Sequence, residues 1–222
     1  QQAQRVAGTG GKLIKVAECD GVRRNAEPPR RSMLESKAPF GTFESHQYAN
    51  QAGARAYKLY VPPRIAAAPP LVVMLHGCTQ SADDFATGTG MNQLADEHGF
   101  LVAYPEQAAS ANPSKCWNWF KARDQVRDGG EPSLIVGIVR VVAAQYRVDP
   151  RRIFVAGMSA GAAMAVILGE TYPELFASVG AHSGLPYRSA KDMPSAMQAM
   201  KGGSSKMPGL KTKRSTKASP FT

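Results

Sequence analysis

Short apolar runs recur through the middle of this chain at the spacing of strands in a layered fold. The runs at 71–75 and 100–104 are continuously apolar, which is typical of strands covered on both faces. The segment 56–61 alternates between apolar and polar positions, as a half-buried strand does. Two further strands are predicted at 152–156 and 178–181, the first near the centre of a sheet and the second covering its later side.

Segments with helical spacing separate these strands. They cover 92–98, 132–146 and 160–169. Gly99 follows the first segment, and Pro132 opens the second, where a first helical turn tolerates proline. Strands that alternate with helices predict an α/β fold on a mostly parallel, doubly wound sheet.

The two ends of the chain differ in composition from its middle. Residues 1–38 mix charges with glycine and proline and show no sustained period, while residues 201–222 carry lysine, serine and glycine and no acidic residue. We therefore predict a disordered leader or linker at 1–38, one domain at 39–200, and a basic, disordered tail at 201–222.

The formal net charge of +10 originates in those ends. Residues 39–187 are nearly neutral, with eleven basic and twelve acidic side chains. Aromatic residues are not interleaved with the basic ones for base stacking, so we expect no nucleic-acid partner. No apolar run approaches the roughly 18 residues that a membrane span requires, so we expect no membrane span.

Three cysteines and four histidines provide few ligands for a metal. They are Cys19, Cys78 and Cys116, with His46, His76, His98 and His182. No pair of cysteines has metal-ligand spacing, and the histidines are scattered. We expect neither a metal nor a cofactor.

The sequence GMSAG follows the predicted strand at 152–156 and leads into a run of small residues. A serine with glycine at both second neighbours, between a strand and a helix, is typical of the nucleophile elbow of α/β-hydrolases. The turn is tight, and side chains at positions 157 and 161 would collide with the flanking elements. Ser159 is therefore a candidate acyl-transfer nucleophile.

An oxyanion hole requires two N–H donors near that serine. One donor is expected from the residue after the nucleophile, here Ala160, and the other from a loop after an early strand. The sequence His76-Gly-Cys-Thr79 directly follows the strand at 71–75, so the backbone N–H of Cys78 is the candidate. An ordinary glycine-containing turn is the alternative interpretation, and His76 is expected to brace this loop.

The base and carboxylate of a catalytic triad are expected after the nucleophile, in the order acid and then histidine. The acids downstream of Ser159 are Glu170, Glu174 and Asp192, and the one downstream histidine is His182. The two glutamates fall in or just after the helix that leaves the elbow, and Asp192 follows His182, which reverses the order. We expect His182 to be a packed or loop-bracing residue, with a role as the base as the alternative. On this interpretation the chain has a nucleophile and an oxyanion hole without a base.

Several blocks of the sequence resemble the polyhydroxybutyrate depolymerase family of serine esterases, whose relatives include feruloyl and acetylxylan esterases. The blocks include LVVMLHGCTQ, CWNWF, GGEPSLIVGIVR and YRVDPRRIFVAGMSAG, and the resemblance covers roughly residues 40–200. It implies an α/β-hydrolase fold, no cofactor, Ser159 as nucleophile, and the amides of Cys78 and Ala160 as oxyanion donors.

The resemblance also implies roles for aromatic and cysteine residues. Trp117 and Trp119 are expected as aromatic walls near the site, with plain core packing as the alternative. A disulfide between Cys78 and Cys116 is implied, which suits an oxidising, extracellular location. Two reduced thiols are the alternative.

This chain departs from the family at its C-terminal end. Family members continue into segments that supply the Asp and His of the triad, whereas this sequence has the basic segment 201–222 at that position. The fold is therefore expected to be incomplete at its C-terminal side. We predict a serine esterase that cleaves hydroxyalkanoate, feruloyl or acetyl esters through an acyl-serine intermediate and is impaired in this form. A non-catalytic remnant or ligand-binding module is the alternative, and a basic nucleic-acid-binding protein ranks last.

Overall fold

The structure is a computed structural model that describes residues 41–201. The predicted leader at 1–38 and all but the first residue of the predicted basic tail lie outside the described residues. The strands are β1 Thr42–Asn50, β2 Gly53–Val61, β3 Leu71–Leu75, β4 Leu101–Pro105, β5 Ile153–Met158 and β6 Ser178–His182. The helices are α1 Ala82–Thr89, α2 Met91–His98, α3 Gly130–Tyr146, α4 Ala160–Thr171 and α5 Met193–Met200.

These strands form one mixed sheet in the order β1-β2-β4-β3-β5-β6. Strands β4, β3, β5 and β6 run parallel to one another. Strands β1 and β2 form an antiparallel hairpin, and β2 pairs antiparallel with β4. This arrangement is an α/β-hydrolase type of sheet, as the sequence predicts. Leu75 of β3 pairs with Gly157 of β5, so the loops that follow these two parallel strands leave the sheet at the same end.

Two apolar clusters cover the two faces of the sheet. One contains the buried faces of α3 and α4, with Ile138 and Met164 inaccessible to solvent, and the other contains Phe85 of α1 and Ala95 of α2. Helices on both faces are the reason that β4 is buried at every position and reads as a continuous apolar run.

The structure adds elements that the hydrophobic pattern does not predict. Strand β1, and helices α1 and α5, were absent from the sequence prediction. Helix α1 begins with a capping box in which the Ser81 hydroxyl accepts from the Asp84 N–H, while the Asp84 carboxylate accepts from the Ser81 N–H. That signal is present in the sequence, but only three residues of the short helix are buried, and its apolar period is therefore weak.

The longest helix in the described part of the chain is α3, with 17 residues. No helix between residues 41 and 201 is long and apolar enough to cross a membrane.

Strand β6 is the edge strand on the β5 side of the sheet, and all five of its residues are exposed. Its position confirms that β5 lies inside the sheet with one strand beyond it. An exposed edge presents unpaired N–H and C=O groups that can pair with another chain.

We predict that this edge causes the 222-residue chain to self-associate. Replacing the exposed Ser178 by lysine should reduce association, because a charge on an edge strand opposes strand pairing. Light scattering over a concentration series, with binding of the dye ANS as a second measurement, tests this. A monomeric wild-type chain that melts cooperatively and binds no dye would contradict the prediction.

Candidate active site

The nucleophile candidate lies in a sharp turn between β5 and α4. Ser159 has φ 55° and ψ −119°, a backbone conformation that non-glycine residues rarely adopt. Its carbonyl accepts the N–H of Ala163 at 3.1 Å, so the helix begins directly after the serine. Such a strained residue persists only where surrounding contacts hold it, and such residues cluster at active sites.

The two glycines of the motif are required by close backbone contacts. A Cβ atom at Gly157 would collide with the backbone of Gly161, and a Cβ atom at Gly161 would collide with the carbonyl oxygens of Leu75 and His76. The first turn of α4 therefore packs directly against the end of β3. This is the local geometry that the GxSxG spacing predicts.

The loop that follows β3 carries the second candidate oxyanion donor. Within residues 41–201, neither the N–H of Cys78 nor that of Ala160 has a hydrogen-bond acceptor. The neighbouring amides of this loop are occupied, because Gly77 N–H donates to the Gln80 side chain and Thr79 N–H donates to the Ser114 carbonyl. Two free amides beside an exposed serine are what an oxyanion hole requires.

A cavity of about 440 Å³ lies beside these groups. Ser159, Cys78 and Ala160 all line it, and its apolar wall comes from aromatic, leucine and methionine side chains: Trp119, Phe120, Leu185, Met193, Met197 and Met200. No Asp, Glu, Lys, Arg or His is among its lining residues in the described part of the chain. The cavity therefore favours an uncharged, largely apolar ligand.

The two tryptophans take different positions. Trp119 lines the cavity and packs edge-on against Phe120, with ring centroids 5.7 Å apart. Trp117 is fully buried, does not line the cavity, and donates from Nε1 to the His76 carbonyl at 3.1 Å. An aromatic wall is thus compatible with the position of Trp119, whereas Trp117 lies in the core beneath the loop.

The cysteine pairing implied by the family resemblance is present. Cys78 and Cys116 form a disulfide that closes 38 residues of chain, so the alternative of two reduced thiols does not describe this structure. The bond joins the loop that follows β3 to the segment that carries both tryptophans.

His76 is buried and braces the same loop. Its Nδ1 lies 2.7 Å from the Gly77 carbonyl oxygen, and its Nε2 lies 3.0 Å from the backbone nitrogen of Gln107. Burial lowers the pKa of His76 below its usual value, although the hydrogen bond to the Gly77 carbonyl acts in the opposite direction. The imidazole is therefore neutral at physiological pH, and both of its nitrogens are occupied.

Among residues 41–201, no side chain that could act as a general base is hydrogen-bonded to Ser159. His182 contributes its backbone carbonyl, which accepts the Ser159 N–H at 2.9 Å, while its ring nitrogen contacts the hydroxyl of Ser183. Glu174 pairs with Arg127, and Asp192 caps α5 by accepting the Ser195 N–H. In residues 41–201 the Ser159 hydroxyl has no hydrogen bond to a histidine or a carboxylate.

Metal ligands do not converge in the described part of the chain. Within residues 41–201, no group of three or more His, Cys, Asp or Glu side chains could hold a metal ion.

A buried polar network behind the loop contains residues that the sequence analysis did not identify. The carboxylate of Glu131, only 3% exposed, accepts hydrogen bonds from Arg55, from the side chain of Gln107, and from both the backbone and the side chain of Asn118. The partners lie 13 to 76 residues from Glu131 along the chain, so no local motif signals the network.

Comparison with known proteins gives several matches. The sequence model of the family described as "Esterase PHB depolymerase" matches residues 55–213. A curated relative, poly(3-hydroxyalkanoate) depolymerase C of Paucimonas lemoignei, is 41% identical over 175 residues, which cover 79% of this chain and 42% of that protein. Acetylxylan esterase A of Aspergillus oryzae is 35% identical over 172 residues, with 76% of this chain and 52% of that protein covered.

Among solved structures, the acetyl xylan esterase from Aspergillus awamori superimposes with a TM-score of 0.62 at 27% identity. The superposition covers 70% of this chain and 56% of that chain. The present chain thus spans about half the length of the curated relatives it matches.

The contact at Gly161 predicts a large stability difference between two Gly→Ala variants. Gly161→Ala should destabilise the fold by about 1 to 3 kcal/mol or more, because backbone carbonyls occupy the space of the new methyl group. Gly88→Ala in α1 is the matched control, since nothing lies within 4 Å of its Cβ position and alanine favours the helix. Urea unfolding of both variants measures the difference, and equal midpoints would contradict this geometry.

The lowered pKa of His76 predicts a loss of stability in acid. Below the unfolded-state pKa of about 6.5, the unfolded chain binds a proton at this position that the native state does not. The free energy of unfolding should therefore fall as the pH drops from about 7.5 through 6.5 toward the lower native value. Urea unfolding across this interval should show a smaller pH dependence for His76→Asn than for the wild type, and parallel curves would argue against a buried neutral imidazole.

Proposed function

This chain belongs to the Esterase PHB depolymerase family, as its sequence resemblance predicts, and on that basis we propose that it carries the nucleophile and oxyanion hole of a carboxylic ester hydrolase. Ser159 is the nucleophile, and the N–H groups of Cys78 and Ala160 are the oxyanion donors. The observation that carries the proposal is the strained Ser159 in a cavity that Cys78 and Ala160 also line, with no acceptor in residues 41–201 for the amides of those two residues.

In the proposed reaction, the Ser159 hydroxyl oxygen attacks the ester carbonyl while a base takes its proton. The carbonyl oxygen becomes an oxyanion, and the two amides stabilise it through hydrogen bonds that strengthen as the charge develops. Collapse of the tetrahedral intermediate breaks the bond to the alkoxide, which takes the proton back from the base and leaves as the alcohol, and an acyl group remains on Ser159. Water then attacks the acyl-serine, and the acid and the free serine are released.

The base is the missing component in the proposed mechanism. All four histidines of the sequence fall in the described residues, and none of their side chains bonds to Ser159. His76 is fully engaged by its loop, and His46 stacks on Tyr57. We therefore propose that the 222-residue chain binds and orients esters but turns them over slowly.

The cavity bears on the class of ester. Because no charged side chain of the described residues lines it, a neutral acyl group fits better than an anionic one. Hydroxyalkanoate esters and the acetyl or feruloyl esters of plant cell walls are the proposed substrates. The names of the two curated relatives support hydroxyalkanoate and acetyl esters.

We place the protein outside the cell or in another oxidising compartment. The disulfide between Cys78 and Cys116 supports this, because disulfides are rare in reducing cytosol. We propose no nucleic-acid partner, since the described domain contributes little to the net positive charge of the chain.

A second candidate function is ligand binding without catalysis. In residues 41–201 no histidine side chain is hydrogen-bonded to Ser159, which favours this function, while the intact elbow and the free amides favour an esterase. Added imidazole distinguishes an esterase from a binding module. Imidazole that enters the cavity can act as the base and take the proton of the Ser159 hydroxyl.

We predict that hydrolysis of p-nitrophenyl butyrate by the wild-type chain is close to background. Oxyanion donors and binding alone leave about 10³ to 10⁴ over water when triad members are removed. Imidazole should raise the rate saturably in the wild type and only linearly, as in free solution, in Ser159→Ala.

Three outcomes separate the alternatives. Saturable rescue that depends on Ser159 supports the esterase, and identical imidazole dependence in the wild type and Ser159→Ala supports the binding module. Turnover on the order of 1 per second without imidazole, lost in both Ser159→Ala and His182→Ala, would make His182 the base and refute its assignment as a loop-bracing residue.

A further inference from the structure

Gln107 lies just after β4, is 1% exposed, and uses every polar atom of its side chain. Its Nε2 donates to the Cys116 carbonyl at 2.9 Å and to Oε1 of Glu131, while its Oε1 accepts the Ala108 N–H at 3.1 Å. These bonds leave the side chain no alternative orientation. The backbone of Gln107 is fixed with it.

The backbone N–H of Gln107 determines the protonation state of His76. A backbone N–H can only donate, so the His76 Nε2, 3.0 Å away, must be the unprotonated, accepting nitrogen. The proton of the neutral ring therefore lies on Nδ1, which faces the Gly77 carbonyl at 2.7 Å. The opposite tautomer would place two protons against each other at Nε2 and two lone pairs against each other at Nδ1.

The Gly77 carbonyl belongs to the same peptide unit as the N–H of Cys78. A trans peptide is planar, and its C=O and N–H point in opposite directions. The hydrogen bond from His76 Nδ1 to the carbonyl therefore fixes the direction of the Cys78 N–H. That N–H is the candidate oxyanion donor, and Cys78 lines the cavity together with Ser159.

We propose that Gln107 is a positioning residue for the oxyanion hole: it holds His76 as the Nδ1-protonated tautomer, and His76 orients the Gly77–Cys78 peptide toward Ser159. The inference rests on the proposed function, because it assigns the Cys78 N–H to the oxyanion. Glu131 and the Cys116 carbonyl anchor Gln107. The resulting series of contacts, from Glu131 through Gln107 and His76 to the Cys78 N–H, is called the relay below.

The test uses Gln107→Met, which removes the side-chain anchors and keeps a backbone N–H. The first measurement is the pair of ¹⁵N chemical shifts of the His76 ring, which distinguishes the two tautomers. We expect a single Nδ1-protonated form in the wild type and a mixture in the variant.

Gln125→Met is the matched control for that measurement. Gln125 is also a buried glutamine that donates to two backbone carbonyls, those of Trp119 and Ala190, but it does not touch His76. Gln125→Met should lower the free energy of unfolding by about as much as Gln107→Met does, and it should leave the ¹⁵N shifts of the His76 ring unchanged.

The second measurement is the affinity for butaneboronic acid, which forms a tetrahedral adduct with a nucleophilic serine and places an oxygen in the oxyanion hole. Gln107→Met should bind about tenfold more weakly than the wild type, the scale of one hydrogen bond. Wild-type affinity together with unchanged ¹⁵N shifts in Gln107→Met would overturn the proposal.

Formation of the boronate adduct on Ser159 in the wild type tests the proposed function independently of the role of Gln107. If the wild type forms no Ser159-dependent adduct but the tautomer mixture appears in Gln107→Met, the esterase assignment fails and the control of His76 by Gln107 is supported. An adduct that disappears in Ser159→Ala, with no change in either measurement for Gln107→Met, supports the function and overturns the relay.

A pair of His76 variants keeps the test decisive if Gln107→Met does not fold. The amide of His76→Asn can donate to the Gly77 carbonyl as Nδ1 does, without needing a set tautomer, whereas His76→Leu cannot. We expect near wild-type boronate affinity for His76→Asn and about tenfold weaker binding for His76→Leu. Equal affinities of these two variants would contradict the relay.

Discussion

The contact between helix α4 and the end of strand β3 is the constraint on which the candidate site depends. Gly161 lies so close to the carbonyls of Leu75 and His76 that no side chain fits between the helix and the strand. This approach brings the first amide of α4 next to the loop that leaves β3. A serine, an amide from its own helix and an amide from the neighbouring loop therefore meet at one cavity.

Polar and covalent bonds hold the loops of this site in addition to apolar packing. The disulfide ties Cys78 to Cys116, and Gln107 bonds to the carbonyl of Cys116 from the other side. The Glu131 carboxylate, buried and paired with Arg55, accepts donors from two of these loop segments. Because a buried charge that loses its partners is costly, this network resists rearrangement of the loops more than an apolar contact of similar size would.

The proposed oxyanion donors lie within residues 41–201, whereas no histidine or carboxylate side chain of those residues is hydrogen-bonded to the Ser159 hydroxyl, as a base would be. The strained turn and the free amides are complete within residues 41–201, and they depend on strands β3 and β5 and helix α4. His182 supports that turn through its backbone carbonyl, and its imidazole contacts Ser183 instead of Ser159. The nearness of His182 to Ser159 therefore does not make it a base, because only its backbone contacts the serine.

The sequence by itself determined the main strands, the layered α/β arrangement and the position of Ser159, because hydrophobic period and the spacing of glycines act over a few residues. It also indicated Cys78 and Ala160, since both are defined by their place next to a strand end or a helix start. It missed α1 and α5, which bury few residues, and it did not separate the cavity-lining Trp119 from the buried Trp117. The hydrogen-bond partners of Gln107 and Glu131 are visible only in the folded chain, because these bonds join segments far apart in the sequence and leave no periodic pattern in it.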